Sequence, residues 1–286
     1  MSISRRDGDF VIGLLNILLF LAFRTSNQSM NSRQEDILAQ MPQTIREALS
    51  RCNLDSSTTT FAVCPACHCT YEPLYKEGST IPIYDEFCTN RRTPESEACR
   101  EPLLCRGKDD SILRPVKPFV YHDFHDYLAS LLSRADLELQ MDESCDKLMR
   151  SINDSPEFVR DIWEADFLRN FKDPSNRTLF IDRQGEGRYG FTLNIDFFNI
   201  EGMLIYGHTS SCGLMSMACL NLPPEIRYKP ENMYVAGIIP PPHKPSLTEL
   251  NHYSRHIVKQ LKESWEKGVR YSQTALHSKA GIHTLP

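Results

Sequence analysis

Six of the ten cysteines in this 286-residue chain lie between Cys64 and Cys105, and this cluster limits what the chain can fold into. The same stretch holds five prolines and one glycine, a composition typical of loops rather than of a packed core. Loops of this kind need cross-links, so the cluster indicates either a bound metal ion or disulfides. Its first pair, Cys64-Pro-Ala-Cys67, is a C-x-x-C turn that presents two sulfur atoms to one side.

A tetrahedral zinc site needs two further ligands. We predict Cys88 and Cys99 as this second pair, with Cys69, Cys105 and His68 as alternatives. Four protein ligands leave no open coordination position, so the expected role of the zinc is structural. A redox C-x-x-C is disfavoured because no βαβ pattern surrounds it. Disulfides remain the main alternative, and a secretory N-terminus would strengthen it.

Composition excludes some classes of protein. Hydrophobic residues make up 41% of the chain and charged residues 24%, which is enough apolar surface for a folded core and argues against a disordered chain. The net charge of −5 excludes a globally basic nucleic-acid binder, although a local basic surface stays possible.

The N-terminus carries an apolar run, Phe10–Phe23, which follows Arg5 and Arg6. This order resembles a signal peptide, but Gly13 and Asn16 interrupt the run and no small-residue cleavage site follows it. The run is also shorter than the roughly 20 residues that span a bilayer. We therefore predict a buried helix, with a signal peptide or membrane anchor as the alternative.

The middle of the chain reads as helices joined by a linker. Residues 34–51 have helical apolar spacing that is broken at Pro42. Residues 106–119 read as a linker, and 121–149 are helical again. The acidic character of 122–173 is typical of a solvated helical face.

The apolar period changes from 3.6 to 2 after residue 185, which indicates strands. The first is RYGFTLNIDFF at 188–198, which we expect to end at Asp196. Further strands are predicted at 213–222 and 233–239, with a shorter one at 203–209.

A long helix follows the strands. Ser246 and Glu249 have the spacing of a capping box, and Gly268 stands where a helix C-cap glycine belongs. His252 and His256 lie four residues apart on this helix, which we interpret as a surface pair because no H-E-x-x-H pattern is present.

The C-terminal part has a modest basic excess. Residues 227–286 contain nine Lys and Arg against four Asp and Glu. Lys259, Lys262 and Lys267 on the long helix are candidate nucleic-acid contacts, with a solvated helix face as the competing interpretation.

Asp196 is the candidate catalytic residue. A strand with a carboxylate, two further strands and a helix is the opening order of a ribonuclease-H-like sheet. In such folds, carboxylates from different strands hold two Mg²⁺ ions for attack on a phosphodiester. One carboxylate alone cannot make that site, and spacing alone favours the simpler interpretation that Asp196 is a strand-end residue that caps a turn.

Three segments carry a family resemblance. They are AVCPACHCTYEPL (62–74), GFTLNIDFFNIEG (190–202) and CLNLPPEIRYKPENMYVAGIIPPPHKPSLTELNHYSRHIVKQLKESWEKGV (219–269). Together they resemble the transposases of CACTA (En/Spm-type) DNA elements, in the version found in fungal genomes. The resemblance extends from about residue 10 to 275. The matching positions are Gly190, Leu193, Asp196, Phe198, Asn199, Leu222, Pro223, Pro224, Ile239, Pro240, Pro242, Trp265, Gly268 and Val269.

The resemblance implies a DDE/D-type nuclease core with Asp196 as its first acid, Mg²⁺ as the cofactor of a complete core, and transposon-end DNA as the partner. It also implies a nuclear protein that does not enter a membrane, and it leaves a homo-oligomer possible. The chain departs from the family at Ile200-Glu201 and at Pro241-His243, and it ends where the second acid is expected. We therefore expect a truncated or degenerate transposase that is inactive alone. The competing hypothesis is a non-enzymatic DNA- or protein-binding module that uses the zinc knuckle and the basic helix.

The predicted fold class is α+β, in four parts. These are a helical N-terminal segment (1–57), a cysteine-rich zinc-binding module (58–106), an acidic helical region (107–184) and an incomplete ribonuclease-H-like core of three strands and a helix (185–286).

Overall fold

The computed structural model describes residues 5–24, 30–51, 57–107, 113–151, 157–181, 183, 185–199, 210–278 and 282–285. They show a mixed α+β protein with an antiparallel sheet and helices, so the predicted α+β class is confirmed. The chain divides into two compact units, Met1–Ser56 and Ser57–Pro286.

The described residues of the first unit form three helices: α1 (Arg5–Phe23), α2 (Ser32–Gln40) and α3 (Ile45–Arg51). Asn31 caps α2 through a reciprocal capping box with Gln34. The break predicted at Pro42 separates α2 from α3, because proline cannot continue a helix.

The expectation of a buried helix over Phe10–Phe23 is wrong. The run is helical, but Phe10 is 71% exposed and Leu21 is 58% exposed. Two polar side chains of α1 form hydrogen bonds with the backbone at and before α3. Asp9 Oδ1 accepts from the Ile45 amide (2.7 Å), and Asn16 Nδ2 donates to the Pro42 carbonyl (2.9 Å). The side of α1 that carries Asp9, Ile12 and Asn16 therefore faces its neighbours, and most of the apolar run points outward. Among the described residues, no helix is long and apolar enough to cross a membrane.

The second unit is built around a sheet. Its strands are β1 (Thr58–Val63), β2 (Thr70–Tyr71), β3 (Leu104–Arg106), β4 (Leu113–Pro115), β5 (Pro118–His122), β6 (Gly187–Arg188), β7 (Phe191–Asn199), β8 (Ser211–Cys219), β9 (Met233–Ile239), β10 (Val269–Tyr271) and β11 (Ile282–Leu285). Its α-helices are α4 (Phe124–Leu132), α5 (Ala135–Arg150), α6 (Asp166–Arg169), α7 (Pro224–Arg227) and α8 (Leu247–Lys267).

The main sheet has six strands in the order β2-β1-β5-β9-β8-β7, and every neighbouring pair is antiparallel. Strands β10, β11 and β6 form a separate three-stranded sheet, and β3 pairs with β4. One face of the main sheet packs against α4, α5 and α8. Their buried side chains make a single core with those of the strands, as in the edge-on ring contacts of Phe124 with Tyr234 and of Phe119 with Tyr253.

The main sheet takes strands from three of the parts predicted from the sequence, 58–106, 107–184 and 185–286. Strand β1 of the cysteine-rich segment pairs with β5, and β5 pairs with β9 through Tyr121 opposite Gly237. The linker expected at 106–119 is wrong, because β4 and the start of β5 lie within it. The expected core of three strands is therefore half of a six-stranded sheet.

The C-terminal half follows the local sequence signals closely. Ser246 and Glu249 form the predicted capping box, and Gly268 ends α8 with φ of 69°. Strand β9 has the predicted bounds. Strand β7 does not end at Asp196 but continues to Asn199, because its pairing with β8 extends over all nine residues. The short strand expected at 203–209 lies outside the described residues.

His256 is not the surface residue expected from its spacing to His252. It is buried under the sheet, and its Nε2 lies 2.9 Å from Thr70 Oγ1. Burial, with the nearby Arg255 and Lys259 charges, lowers the pKa of His256 to about 4. The side chain is therefore a neutral core histidine.

Candidate metal centre

Four cysteines converge at one end of the sheet. Strand β1 ends at Val63, and the turn that follows places Cys64 and Cys67 on one side. The turn is closed by backbone hydrogen bonds from the Cys64 amide to the Cys69 carbonyl (2.9 Å) and from the His68 amide to the Cys64 carbonyl (3.0 Å). His68 adopts a positive φ of 59°, which reverses the chain into β2.

The second pair comes from a loop that is closed by its own backbone ladder. The amide of Cys88 donates to the Glu101 carbonyl, and the amide of Cys99 donates to the Asn90 carbonyl, both at 2.9 Å. These bonds bring Cys88 and Cys99 close together although they are 11 positions apart in sequence. The small apolar cluster around them includes Leu103, which is fully buried.

All four sulfur atoms lie within 4.8 Å of one another. The Sγ atoms of Cys64 and Cys99 are 3.8 Å apart, and those of Cys67 and Cys88 are 3.5 Å apart. A disulfide requires about 2.05 Å, so these cysteines are not bonded to one another. Tetrahedral coordination with metal–sulfur bonds of about 2.3 Å places sulfur atoms about 3.8 Å apart. The four cysteines can therefore hold one metal ion.

The predicted alternative ligands do not join the group. Cys69 is buried beside it, Cys105 is exposed on β3, and both are free thiols. His68 turns its ring away, since its Nδ1 lies 2.9 Å from the Tyr253 hydroxyl. Within the described ranges, the four cysteines are the only group of three or more Cys, His, Asp or Glu side chains that could share a metal ion.

The thiols polarise one another in the absence of metal. A hydrogen bond from the Cys64 thiol lowers the pKa of Cys67 to about 4, and the same bond raises the pKa of Cys64. Burial raises the pKa of Cys88 to about 11. Thiolates are the form that binds a metal ion, so thiols of the group that are still protonated lose their protons when a cation binds.

Two side chains outside the group donate to its sulfur atoms. The Tyr71 hydroxyl donates to Cys88 Sγ (3.1 Å) and accepts from the Thr89 amide (2.8 Å). Asn90 Nδ2 donates to Cys67 Sγ (3.5 Å). Sequence reasoning missed both residues. Their only sequence signal is that each lies within four positions of a cysteine, which does not reveal that they point at sulfur.

A buried cation lies near the group. Lys117 is 6% exposed, and its Nζ lies 3.4 Å from His68 Nδ1. Burial lowers the pKa of Lys117 to about 8, while the charge of Cys64 opposes this shift. A positive charge at this place offsets part of the negative charge that four thiolates bring.

Asp196 lies on β7, the terminal strand of the main sheet among the described residues. Its side chain is exposed, and its Oδ1 accepts a hydrogen bond from the Phe197 amide (2.9 Å). It stands opposite Leu214 of β8. Among the described residues, no metal-binding group includes Asp196.

The three candidate lysines of α8 are exposed, and two of them are paired within the helix. Lys262 pairs with Glu266 and Lys267 pairs with Glu263, each at 3.6 Å. These acids reduce the positive potential that the helix presents to a phosphate backbone.

Comparison of the chain with protein-family models, with curated proteins and with solved structures finds no match. The fold and the site define the class as an α+β protein with a group of four cysteines that could hold a metal ion.

Proposed function

We propose that Cys64, Cys67, Cys88 and Cys99 hold one structural zinc ion in a protein descended from CACTA-type transposases. Zinc suits four thiolates in a tetrahedral arrangement, and the sulfur spacing fits it. The two pairs come from separate loops, so one ion would fix both loops to the end of β1. A site filled by four protein ligands stabilises the fold and leaves no position for substrate.

The proposed descent rests on the order of elements around Asp196. Strands β7, β8 and β9 form an antiparallel meander, and α8 follows them and packs on one face. That order resembles the opening of a ribonuclease-H-like core, in which the exposed carboxylate of Asp196 would lie on the first strand, and this resemblance supports the proposed descent. The sheet continues beyond β9 into β5, β1 and β2, which ties this core to the cysteine group.

We expect no Mg²⁺-dependent DNA cleavage by this chain. Two-metal phosphodiester chemistry needs several carboxylates around the ions, and among the described residues Asp196 belongs to no group of three or more possible metal ligands. A nicking assay on supercoiled plasmid with Mg²⁺ or Mn²⁺ should match the protein-free control. Nicking that disappears in Asp196→Asn would overturn the proposed inactivity.

The descent has its own test in the DNA on either side of the gene. We expect it to encode recognisable further blocks of a transposase, including a strand with a second acid. Flanking DNA without such blocks would remove the support for descent, while leaving the zinc proposal untouched.

Tyr71→Phe should weaken zinc binding by about tenfold. The change removes the hydroxyl that donates to Cys88 Sγ and keeps the ring in place. Competition against a chromophoric chelator measures the affinity. Tyr75→Phe is the matched control, because Tyr75 is exposed and lies outside the cysteine group. Equal affinities for wild type and Tyr71→Phe would show that this hydrogen bond does not support the metal.

A further inference from the structure

Helix α1 carries a broad exposed apolar surface. Eight large apolar side chains between Phe10 and Leu21 are more than a third exposed. Together they present about 700 Å², which exceeds the apolar patch of a typical monomeric protein. Apolar surfaces of this size mark places where a partner binds. The roles proposed for the cysteines and for Asp196 do not involve this helix.

The opposite side of α1 fixes the direction of this surface. Gly8 lies against α3, where an added Cβ atom would come within 3.2 Å of the Ile45 side chain. Ile12 is buried on the same side, and Asp9 and Asn16 form hydrogen bonds with the backbone at and before α3. These contacts hold α1 at one rotation about its axis, so the exposed apolar side chains point away from α3.

The exposed side of α1 has the spacing of a seam between two helices. The seam positions are Phe10, Leu14, Ile17 and Leu21. They follow one another at intervals of four, three and four residues, which alternate the d and a positions of a heptad. All four side chains are 46–71% exposed, so the seam is open to a partner.

A second helix fits this seam better than a lipid surface does. Amphipathic helices that lie on a membrane carry lysine and arginine along their polar face. The polar face of α1 carries Asp9 and Asn16 instead, and both are engaged with the backbone at and before α3. The seam therefore indicates a helix with matching apolar spacing.

The charges at the two ends of the seam point to a second copy of α1. The heptad spacing continues by one step to Asp7 before the apolar residues and to Arg24 after them, and both residues are exposed. In an antiparallel pair of α1 helices, Asp7 of each copy lies opposite Arg24 of the other, and Leu14 lies opposite Ile17. A parallel pair would bring like charges together at both ends.

We propose that α1 is a dimerisation helix, which pairs antiparallel through this seam with α1 of a second copy of the chain. The pairing removes about 1,000 Å² in total from water, which is at the lower limit for a specific interface. An interface of this size gives modest affinity, and we expect a Kd of about 1–100 µM. The proposal rests neither on the zinc site nor on the proposed descent.

Sedimentation equilibrium of the full chain in zinc-containing, reducing buffer tests the pairing. We expect a monomer–dimer equilibrium in the wild type and about tenfold weaker dimerisation in Ile17→Lys, because the change places a charge in the seam of each copy. Leu139→Lys is the matched control, since Leu139 on α5 is 58% exposed and Ile17 is 57% exposed. The control should dimerise like the wild type, and circular dichroism should show the same helix content in all three proteins.

Charge exchange at the ends of the seam tests the orientation of the pair. Asp7→Lys alone and Arg24→Glu alone should each weaken dimerisation about fivefold, because each change leaves like charges opposite one another. The two changes together should restore the wild-type affinity. No recovery in the double variant overturns the antiparallel pairing.

A wild type that stays monomeric well above the expected Kd, or a dimer that Ile17→Lys leaves unchanged, overturns the proposal. For a monomer, flotation with vesicles of phosphatidylcholine and phosphatidylserine shows what covers the apolar surface instead. Flotation that Ile17→Lys abolishes assigns a lipid surface, and no flotation assigns another segment of the chain or a different protein. A failure of the zinc or the nuclease expectations leaves these results unchanged.

Discussion

Removal of the proposed zinc ion is expected to lower the Tm of the protein by about 8–16 °C. A ligand present at a thousand times its Kd stabilises the folded state by about 4 kcal/mol, and each kcal/mol moves Tm by about 2–4 °C at this chain length. The buried apolar cluster of the loops that carry the cysteines is small, since it consists of Cys64, Cys69, Cys88 and Leu103. Differential scanning calorimetry before and after dialysis against a chelator measures the change.

Cys64→Ser should reproduce the effect of the chelator, and hydrogen exchange should show where order is lost. We expect hydrogen exchange to become faster across residues 64–105. The increase should be smaller in α4 and α5, because these helices pack in the main core. Cys105→Ser is the matched control, because Cys105 is an exposed thiol in the same segment and outside the group. A chelator-resistant Tm, or equal losses in both variants, would contradict a structural metal.

Asn221→Leu is expected to destabilise the protein by about 3–5 kcal/mol. The Asn221 side chain is fully buried and accepts a hydrogen bond from the Gly190 amide (2.8 Å). Its Nδ2 donates to the carbonyls of Arg188 (2.9 Å) and Met141 (3.1 Å). Leucine has a similar size but leaves these buried backbone groups without that partner, so α5 loses its polar link to the start of β7.

Urea denaturation of Asn221→Leu measures this loss. Asn251→Leu is the control, since Asn251 is exposed on α8, and it should change the free energy of unfolding by less than about 0.5 kcal/mol. A cost below about 1 kcal/mol for Asn221→Leu would show that the amide is not the link that its contacts indicate.

The elements found from sequence are those encoded locally. Helix α8 carries its own capping box and C-terminal glycine, and β9 is an apolar run bounded by a proline-rich stretch. The C-x-x-C turn likewise identifies one half of the cysteine group. The other half, Cys88 and Cys99, has no such local motif in the sequence. Backbone hydrogen bonds, such as that from the Cys88 amide to the Glu101 carbonyl, bring these two cysteines together.

The elements missed are those that depend on distant pairing. Strand β5 begins with Pro118 and is only five residues long, so its sequence alone indicates a linker. It is a strand because it pairs with β1 on one side and with β9 on the other. His256 is buried because Thr70, far away in sequence, contacts it. The outward face of α1 shows the same limit, because hydropathy alone does not say which side of a helix finds a partner.

X-ray absorption at the zinc edge of the purified protein tests the proposed zinc site. We expect one zinc per chain, surrounded by four sulfur atoms at about 2.3 Å. Protein prepared under reducing conditions with ample zinc that holds no zinc, or zinc bound mainly by nitrogen or oxygen, would contradict it.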